Sequence, residues 1–228
     1  MNELKFIDYS YFFNNNIKAY QILFNKSLES LTLDKFREHI VNQFSISIDD
    51  IAIPNQIHSN ETKWINSNGY FKKTDGLITR NNQIILSLQT ADCVPIFLYD
   101  KQNDIRGLVH SGWKGTKSKI INKAINTMID KGSKPCDILV LLGASIHKCC
   151  YEIGRDIESY FNKSCIYNND NKIYLSLQEQ ILIDLGKLNI NKKYIYIDNK
   201  CTFMDNTLSS YRRDKEKVGR MISLMGNF

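Results

Sequence analysis

The stretch that decides the fold runs from Gln83 to His110 and reads QIILSLQTADCVPIFLYDKQNDIRGLVH. Apolar, β-prone runs separated by polar turns predict strands over Ile84–Leu88, Val94–Tyr99 and Asp104–His110. The Thr-Ala-Asp-Cys block between the first two runs predicts a break, which places Cys93 at a strand end. Pro95 within a predicted strand and several direct passages from strand to strand disfavour a regular doubly wound parallel sheet. The sequence therefore predicts a mixed α/β sandwich.

Helical spacing of apolar residues is found on both sides of this stretch. The pattern predicts helices over Thr32–Phe44 with Thr32 as N-cap, over Thr116–Lys131 closed by Gly132, and over Leu177–Leu188. The other predicted elements are strands over Asp137–Leu142 and Tyr194–Ile197, a loop over Ser145–Gly154, and a terminal helix or turn over Gly219–Met225. No repeat or linker divides the chain, so we expect residues 1–228 to form one domain.

Charge and hydropathy set limits on the partners. The net charge of +6 is spread among lysines with acids between them, so no single-sign block typical of nucleic-acid binding is present. A modest positive potential favours phosphate or other anionic substrates. The longest apolar run, Ile138–Leu142, is far too short to cross a bilayer. We expect no nucleic-acid or membrane partner, and a monomer or weak homo-oligomer.

The first residues and the cysteines indicate the compartment. Acids interrupt the N-terminus where a secretory signal needs a continuous apolar core, which favours a cytoplasmic protein. Six cysteines at irregular spacing in 228 residues do not resemble a secreted disulfide framework. We therefore expect reduced thiols.

Three residues at predicted strand ends or turns form a zinc-type donor set: His58, Cys93 and His110. Two imidazoles and one thiolate leave the fourth tetrahedral position for water or substrate, as in catalytic zinc sites. Each residue also has an ordinary interpretation, as a surface-loop histidine, a small buried cysteine and a core histidine. Separations of 35 and 17 residues suit ligands on different strand ends, whereas structural zinc sites favour close pairs.

Residues beside these three suggest further roles. Asp92 could orient a ligand imidazole or act as general acid or base, and it could equally be a turn aspartate bonded to its own backbone. Lys114 and Thr116 stand where a glycine-rich turn enters a predicted helix, so they could bind an anion. Trp113 could stack on a purine or anchor the turn in the core.

The motifs around these residues resemble those of the YfiH/YlmD family, first labelled polyphenol oxidases or laccase-domain proteins and later purine nucleoside phosphorylases. The resemblance extends roughly over residues 50–228. It rests on motifs in the family's order: Gln56-Ile57-His58, Thr90-Ala91-Asp92-Cys93, Val109–Gly115, Gly143–Gly154 with the core Cys149-Cys150-Tyr151-Glu152, and Ser210–Asp214 followed by Gly219-Arg220-Met221.

The resemblance implies a four-layer α-β-β-α fold, shared with some cysteine-type deamidase toxins. It implies a zinc-dependent purine nucleoside phosphorylase acting on adenosine, inosine and 5′-methylthioadenosine, with adenosine deamination as a second activity. The zinc ligands are then His58, Cys93 and His110, and the catalytic residues Asp92, Cys93 and His110. The substrate-binding residues are Gln56, Trp113, Lys114, Cys149, Tyr151, Arg212 and Arg213, although arginines more often form ion pairs within a fold.

Some positions depart from the family's pattern. His147 stands where the family usually has glycine, and Ala144 where it usually has proline. The early segment Tyr11–Asn16 lacks the arginine and paired glycines of family members. We therefore expect a changed pocket rim and a rebuilt or missing wall of the site.

Three alternatives remain open. A His₂Cys set can hold copper, as a phenol oxidase requires, although four histidines, at positions 39, 58, 110 and 147, are too few for a multi-imidazole trinuclear cluster. A cysteine hydrolase could use Cys93 as nucleophile and His110 as base. A non-catalytic binding protein could keep the fold after losing the early motif.

Overall fold

The computed structural model describes residues 4–14, 17–23, 33–215 and 219–228, and within the first helix it describes side chains from residue 37 onward. Two earlier predictions lie outside the described residues: Thr32 as a helix N-cap, and the last two positions of Tyr11–Asn16. Among the described residues, no helix has the length and apolar character needed to cross a membrane.

The elements follow one another in an irregular mixture of strands and helices. The strands are β1 (Phe6–Asp8), β2 (Lys18–Ile22), β3 (Ile51–Pro54), β4 (Thr62–Trp64), β5 (Gly69–Phe71), β6 (Gly76–Thr79), β7 (Ile85–Thr90), β8 (Val94–Asp100), β9 (Ile105–Ser111), β10 (Ile138–Leu142), β11 (Glu152–Ile153), β12 (Ile166–Asn169), β13 (Lys172–Leu175), β14 (Ile195–Ile197) and β15 (Met221–Gly226). The helices are α1 (Leu33–Phe44), α2 (Trp113–Lys117), α3 (Ile120–Asp130), α4 (Arg155–Glu158), α5 (Leu177–Lys187) and α6 (Tyr211–Asp214).

Two six-stranded mixed sheets form the centre of the fold. One has the order β1-β2-β15-β7-β3-β5, and the other β14-β10-β8-β9-β6-β4. In both, antiparallel pairs such as β8–β9 occur beside parallel pairs such as β3–β7. A smaller three-stranded sheet, β11-β13-β12, lies apart from them. The mixed α/β prediction is confirmed.

Four apolar clusters among the described residues hold these elements together, and three of them join sheets to each other or to helices. Between the sheets, Leu86 of β7 packs with Phe97 of β8, and both are fully buried. Helices α3 and α5 contribute Ile125 and Ile181 to a cluster with the other face of the second sheet. Ile40 of α1 packs with residues of the first sheet in a third cluster. The four-layer order stays a prediction of the resemblance, with which these clusters agree.

The structure corrects two predicted elements. The helix expected over Thr116–Lys131 is divided into α2 and α3 at Lys119, whose φ of +58° is left-handed and cannot continue a right-handed helix. The terminal helix or turn expected over Gly219–Met225 is wrong, because β15 is a strand between β2 and β7. All six of its residues are buried, so it lacks the alternation that marks a one-sided strand.

Candidate metal centre

The strand register of the second sheet brings two predicted ligands and an unpredicted carboxylate to one edge. β8 begins directly after Cys93, and its second residue, Pro95, pairs with His110 of β9. β6 begins directly after Asp75 and pairs with the other side of β9. The backbone N–H of His110 donates to the Asp75 carbonyl at 2.7 Å. Cys93, His110 and Asp75 therefore meet at adjacent strand ends.

His58 reaches the same place from the segment that follows β3. Its φ of +60° is left-handed, which marks a sharp turn of the backbone. The Asp75 carboxylate holds this turn by accepting hydrogen bonds from the backbone N–H groups of His58 at 3.0 Å and Ser59 at 2.8 Å. The Ser59 hydroxyl donates to the same carboxylate at 2.7 Å. One buried acid thus positions a residue from a distant part of the chain.

Asp75 also orients the His110 ring, because Nδ1 lies 2.8 Å from its Oδ1. Burial raises the pKa of Asp75, but hydrogen bonds from His110 and Ser59 outweigh it and bring the pKa to about 2. A charged carboxylate can only accept, so Nδ1 carries the hydrogen and Nε2 is left for the site. Carboxylate partners of this kind fix ligand histidines in metal sites.

The three predicted ligands converge. The ligand atoms of His58, Cys93 and His110 lie within 4.8 Å of one another, and the two imidazole centroids are 4.8 Å apart. Burial raises the pKa of Cys93, but the two histidines outweigh it and lower the pKa to about 6. Burial lowers the pKa of His110, but Cys93 and Asp75 outweigh it and raise the pKa to about 9. Both shifts favour the charged forms, a Cys93 thiolate beside a His110 imidazolium.

Packing and exposure also fit a metal site with an open position. A Cβ added at Gly112 would lie 2.8 Å from Cys93 Sγ and 3.3 Å from His58 Cδ2, so this wall is bare backbone. His110 is buried, Cys93 is half-buried and His58 is exposed, which leaves the group accessible from one side. The residues therefore fit a zinc ion with three protein ligands and a fourth position open to substrate.

Asp92 lies beside Cys93, but its carboxylate is engaged elsewhere. One oxygen accepts the Thr202 hydroxyl at 2.6 Å, and the other accepts the backbone N–H of Arg212 at 2.6 Å. The carboxylate that orients a ligand imidazole is Asp75, which corrects the orienting role expected for Asp92. Asp92 itself has a left-handed φ of +87°, and its carbonyl accepts a hydrogen bond from Ile146 N–H at 2.9 Å. Asp92 therefore shapes the turn that carries Cys93.

The residues expected to bind substrate near the triad differ in availability. The Gln56 side chain pairs with the backbone of Gln89, donating to its carbonyl and accepting from its N–H, each at 2.8 Å. Lys114 is exposed, with Nζ 5.6 Å from the Trp113 ring, and Trp113 packs partly against the core. Because α2 has only five residues, its dipole would stabilise an anion beside Lys114 less than the dipole of the longer predicted helix.

The second group of expected substrate residues lies on the loop before β11 and on α6. Tyr151 is half-buried, and burial, together with the charge of Cys93, raises its pKa. The Arg212 guanidinium lies 5.3 Å from the Tyr151 ring and donates to the Glu152 carbonyl at 2.7 Å. Cys149 is exposed on the same loop.

Arg213 is committed to the fold. Its guanidinium donates to the carbonyls of Thr202 at 2.7 Å and Leu208 at 2.7 Å, and to both carboxylate oxygens of Asp214. These bonds close the loop that carries Thr202, the partner of Asp92. The guanidinium is therefore engaged in internal pairing, the commoner use of arginine, and its expected substrate contact stays a prediction.

Sequence reasoning missed Asp75. The only signal was an acid directly before the apolar run Gly76–Thr79, and an Asp-Gly pair is equally typical of a turn. In the early segment whose missing arginine and glycines predict a rebuilt or missing wall, Phe13 is buried in the core between the sheets and Tyr11 is exposed. The change to the wall stays a prediction.

The mixed sandwich and the convergence of two histidines and one cysteine define a class of candidate metalloproteins. The chain belongs to the family described as multi-copper polyphenol oxidoreductase laccase, whose family model matches residues 29–227. Its relatives include the YlmD and YfiH proteins, which confirms the predicted family.

Two curated relatives have the same functional name. A Clostridium acetobutylicum protein named purine nucleoside phosphorylase is 35% identical over 185 residues, covering 78% of each chain. Bacillus subtilis purine nucleoside phosphorylase YlmD is 30% identical over 217 residues, 84% of this chain and 76% of that protein. A protein named adenosine deaminase from an unknown prokaryote is 31% identical over 138 residues, 56% of this chain and 53% of that protein.

A solved structure shows the same fold. The crystal structure of the Bacillus licheniformis hypothetical protein YfiH superimposes with a TM-score of 0.84 and covers 94% of each chain at 24% sequence identity.

Replacement of Asp75 tests its control of the ligands. We expect Asp75→Asn to lower zinc affinity about 10- to 100-fold, because the amide cannot act as a charged acceptor for both the His110 ring and the His58 turn. Competition with a chromophoric zinc chelator measures this. Asp170→Asn, in the exposed turn between β12 and β13, is the matched control. Equal affinities in the two variants would contradict the role.

Replacement of Gly112 tests the bare wall of the site. A methyl group there must displace Cys93 Sγ, and overpacking of this kind costs about 1–3 kcal/mol. We expect Gly112→Ala to retain less zinc than the unaltered protein after dialysis. Gly186→Ala in α5 is the control, because its Cβ would meet nothing within 4 Å. Retention of full zinc by Gly112→Ala would show that the sulfur can move freely.

Replacement of Arg213 separates a structural from a substrate role. Lysine cannot reproduce the forked hydrogen bonds, so we expect Arg213→Lys to reduce the free energy of unfolding by about 2–3 kcal/mol. Arg212→Lys should cost less, because the Arg212 guanidinium donates to the Glu152 carbonyl, whereas that of Arg213 reaches several acceptors. Urea unfolding followed by circular dichroism measures both. A changed phosphate KM at unchanged stability in Arg213→Lys would show that Arg213 binds substrate and would contradict a purely structural role.

Proposed function

We propose that the chain is a zinc-dependent purine nucleoside phosphorylase whose metal is held by His58, Cys93 and His110. The observation that carries the proposal is the convergence of these three ligands, with Asp75 behind the His110 ring. Two relatives at 30% and 35% identity that are named purine nucleoside phosphorylase support the reaction class.

Phosphorolysis needs a phosphate held against the sugar carbon C1′ of the nucleoside. The phosphate oxygen forms a bond to C1′, the C1′–N9 bond breaks, and its electron pair passes to the purine. Adenosine and phosphate then give adenine and ribose 1-phosphate. Zinc held by His58, Cys93 and His110 would supply a Lewis acid that polarises a substrate oxygen or activates water.

The remaining residues supply binding and orientation. Lys114 is exposed beside Trp113 and offers an ammonium group to phosphate, while the indole offers a face to the purine. On α6 and the loop before β11, Arg212 and Tyr151 lie together and offer a cation and a phenol. Arg212 binds anions well through its planar fork. Asp75 keeps the His110 ring in place throughout.

A cysteine hydrolase is the second candidate, because Cys93, His110 and Asp75 also follow the order of nucleophile, base and orienting acid. The presence of His58 favours a metal site over a cysteine hydrolase, because a thiol nucleophile needs one imidazole and the Cys93 thiol interacts with two. The copper oxidase lacks support among the described residues, where His58 and His110 are the histidines that enter a ligand cluster.

Product analysis tests the proposed function. Purified protein is incubated with adenosine, inosine or 5′-methylthioadenosine, each with and without phosphate, and products are identified by chromatography and mass spectrometry. We expect phosphate-dependent base release that His110→Ala abolishes and that Lys114→Ala reduces about tenfold through a raised phosphate KM. His39→Ala, on α1, is the matched control and should retain activity.

Other products identify the alternatives. Inosine formed from adenosine without phosphate indicates deamination, the activity named for one relative. Oxygen-consuming phenol oxidation after copper loading, with no nucleoside turnover, would contradict the phosphorylase. Rapid stoichiometric inactivation of zinc-loaded protein by iodoacetamide would favour the cysteine hydrolase, because a metal-bound thiolate is shielded.

A further inference from the structure

A second cluster of potential ligands consists of cysteines and shares no residue with the zinc triad. The sulfur atoms of Cys149, Cys150 and Cys201 lie within 4.8 Å of one another, and those of Cys149 and Cys150 are 3.3 Å apart. We refer to these three residues as the thiol cluster. The zinc-type site does not use it, and the expected substrate contact of Cys149 does not explain why three sulfurs converge.

The backbone brings the thiol cluster together from two distant segments. Ser145 and Cys201 form an isolated parallel bridge, and Thr202 N–H donates to the Ser145 carbonyl at 3.0 Å. The N–H of Cys150 donates to the His147 carbonyl at 2.9 Å, which turns the adjacent cysteines back toward Cys201. The N–H of His147 donates to Cys201 Sγ at 3.5 Å. Cys201 is therefore held in place by the backbone.

The sulfur spacing suits a shared ion better than a disulfide. A disulfide needs about 2.05 Å between sulfurs, well below the 3.3 Å of the adjacent pair. Thiolates around one ion, with metal–sulfur distances of roughly 2.3 Å, lie roughly 3.8–4.0 Å apart. Small side-chain movements would bring the thiol cluster to this spacing.

The donor set selects a soft ion. The thiol cluster offers three sulfurs, and among the described residues no imidazole or carboxylate joins the group. Zinc prefers four ligands, whereas a monovalent d¹⁰ cation is satisfied by two or three thiolates, and thiolates favour such soft ions. Cys149 is exposed, Cys150 half-buried and Cys201 buried, so an ion can enter from solvent at Cys149 and reach the buried sulfur of Cys201.

We propose that Cys149, Cys150 and Cys201 bind one soft monovalent cation of the copper(I) class, at a site separate from the zinc triad. Binding is a ligand exchange in which copper–sulfur bonds form and the thiol protons pass to solvent. No electron is transferred in this step.

Copper(I) titration of the reduced protein tests the proposal. Under anaerobic conditions, zinc-loaded protein competes with the chelator bicinchoninate for copper(I). We expect one equivalent of tight uptake, with an affinity at least tenfold lower in Cys149→Ser and in Cys201→Ser. Cys136→Ser, an exposed cysteine elsewhere, and Cys93→Ser, in the zinc triad, should keep this uptake.

X-ray absorption of the copper-loaded protein gives an independent measurement. We expect a sulfur-only shell, since the zinc triad would add nitrogen from imidazole. Zinc content and circular dichroism should be unchanged in Cys149→Ser, an exposed position where loss of folding is not expected. Uptake unchanged by both serine variants, or a mixed nitrogen and sulfur shell, would overturn the proposal. A Cys149–Cys201 disulfide that forms in air despite prior copper loading would overturn it as well.

Discussion

The buried carboxylate of Asp75 is the constraint on which the site depends. It accepts hydrogen bonds from the His110 ring and from the backbone of His58 and Ser59, so two ligands on separate segments share one anchor. A buried charge is costly unless it is fully hydrogen-bonded, and this one is. The energy that stabilises the anion is therefore the same energy that orders the ligands.

Much of the centre of the fold could be predicted from local sequence. The three strands around Cys93, the strand β10 and helix α5 follow from apolar runs and helical spacing. His58, Cys93 and His110 could be selected because their residue types form a zinc donor set, and the structure brings them together. The ability to bind a metal is a property of single side chains, so candidate ligands can be recognised in the sequence without knowledge of tertiary contacts.

What could not be predicted depends on long-range contacts. Asp75 gives the same local signal as a turn residue, and its role depends on strand register between β6 and β9. Arg213 and Gln56 bear groups that could bind substrate, but both pair with backbone atoms that only the folded chain brings near. Strand β15 is buried on both faces, so no periodicity distinguishes it from a helix.

The position of β15 has a consequence for biosynthesis. It separates β2 from β7, and Ile222 pairs with Ile22 at a distance of 200 positions along the chain. While the chain is being synthesised, the edge of β2 has no neighbour on that side until β15 has been made. Pairing at such a sequence distance is slow because loop closure must come first. The first sheet is thus completed late, and the nascent chain exposes an unpaired strand edge that chaperones could protect.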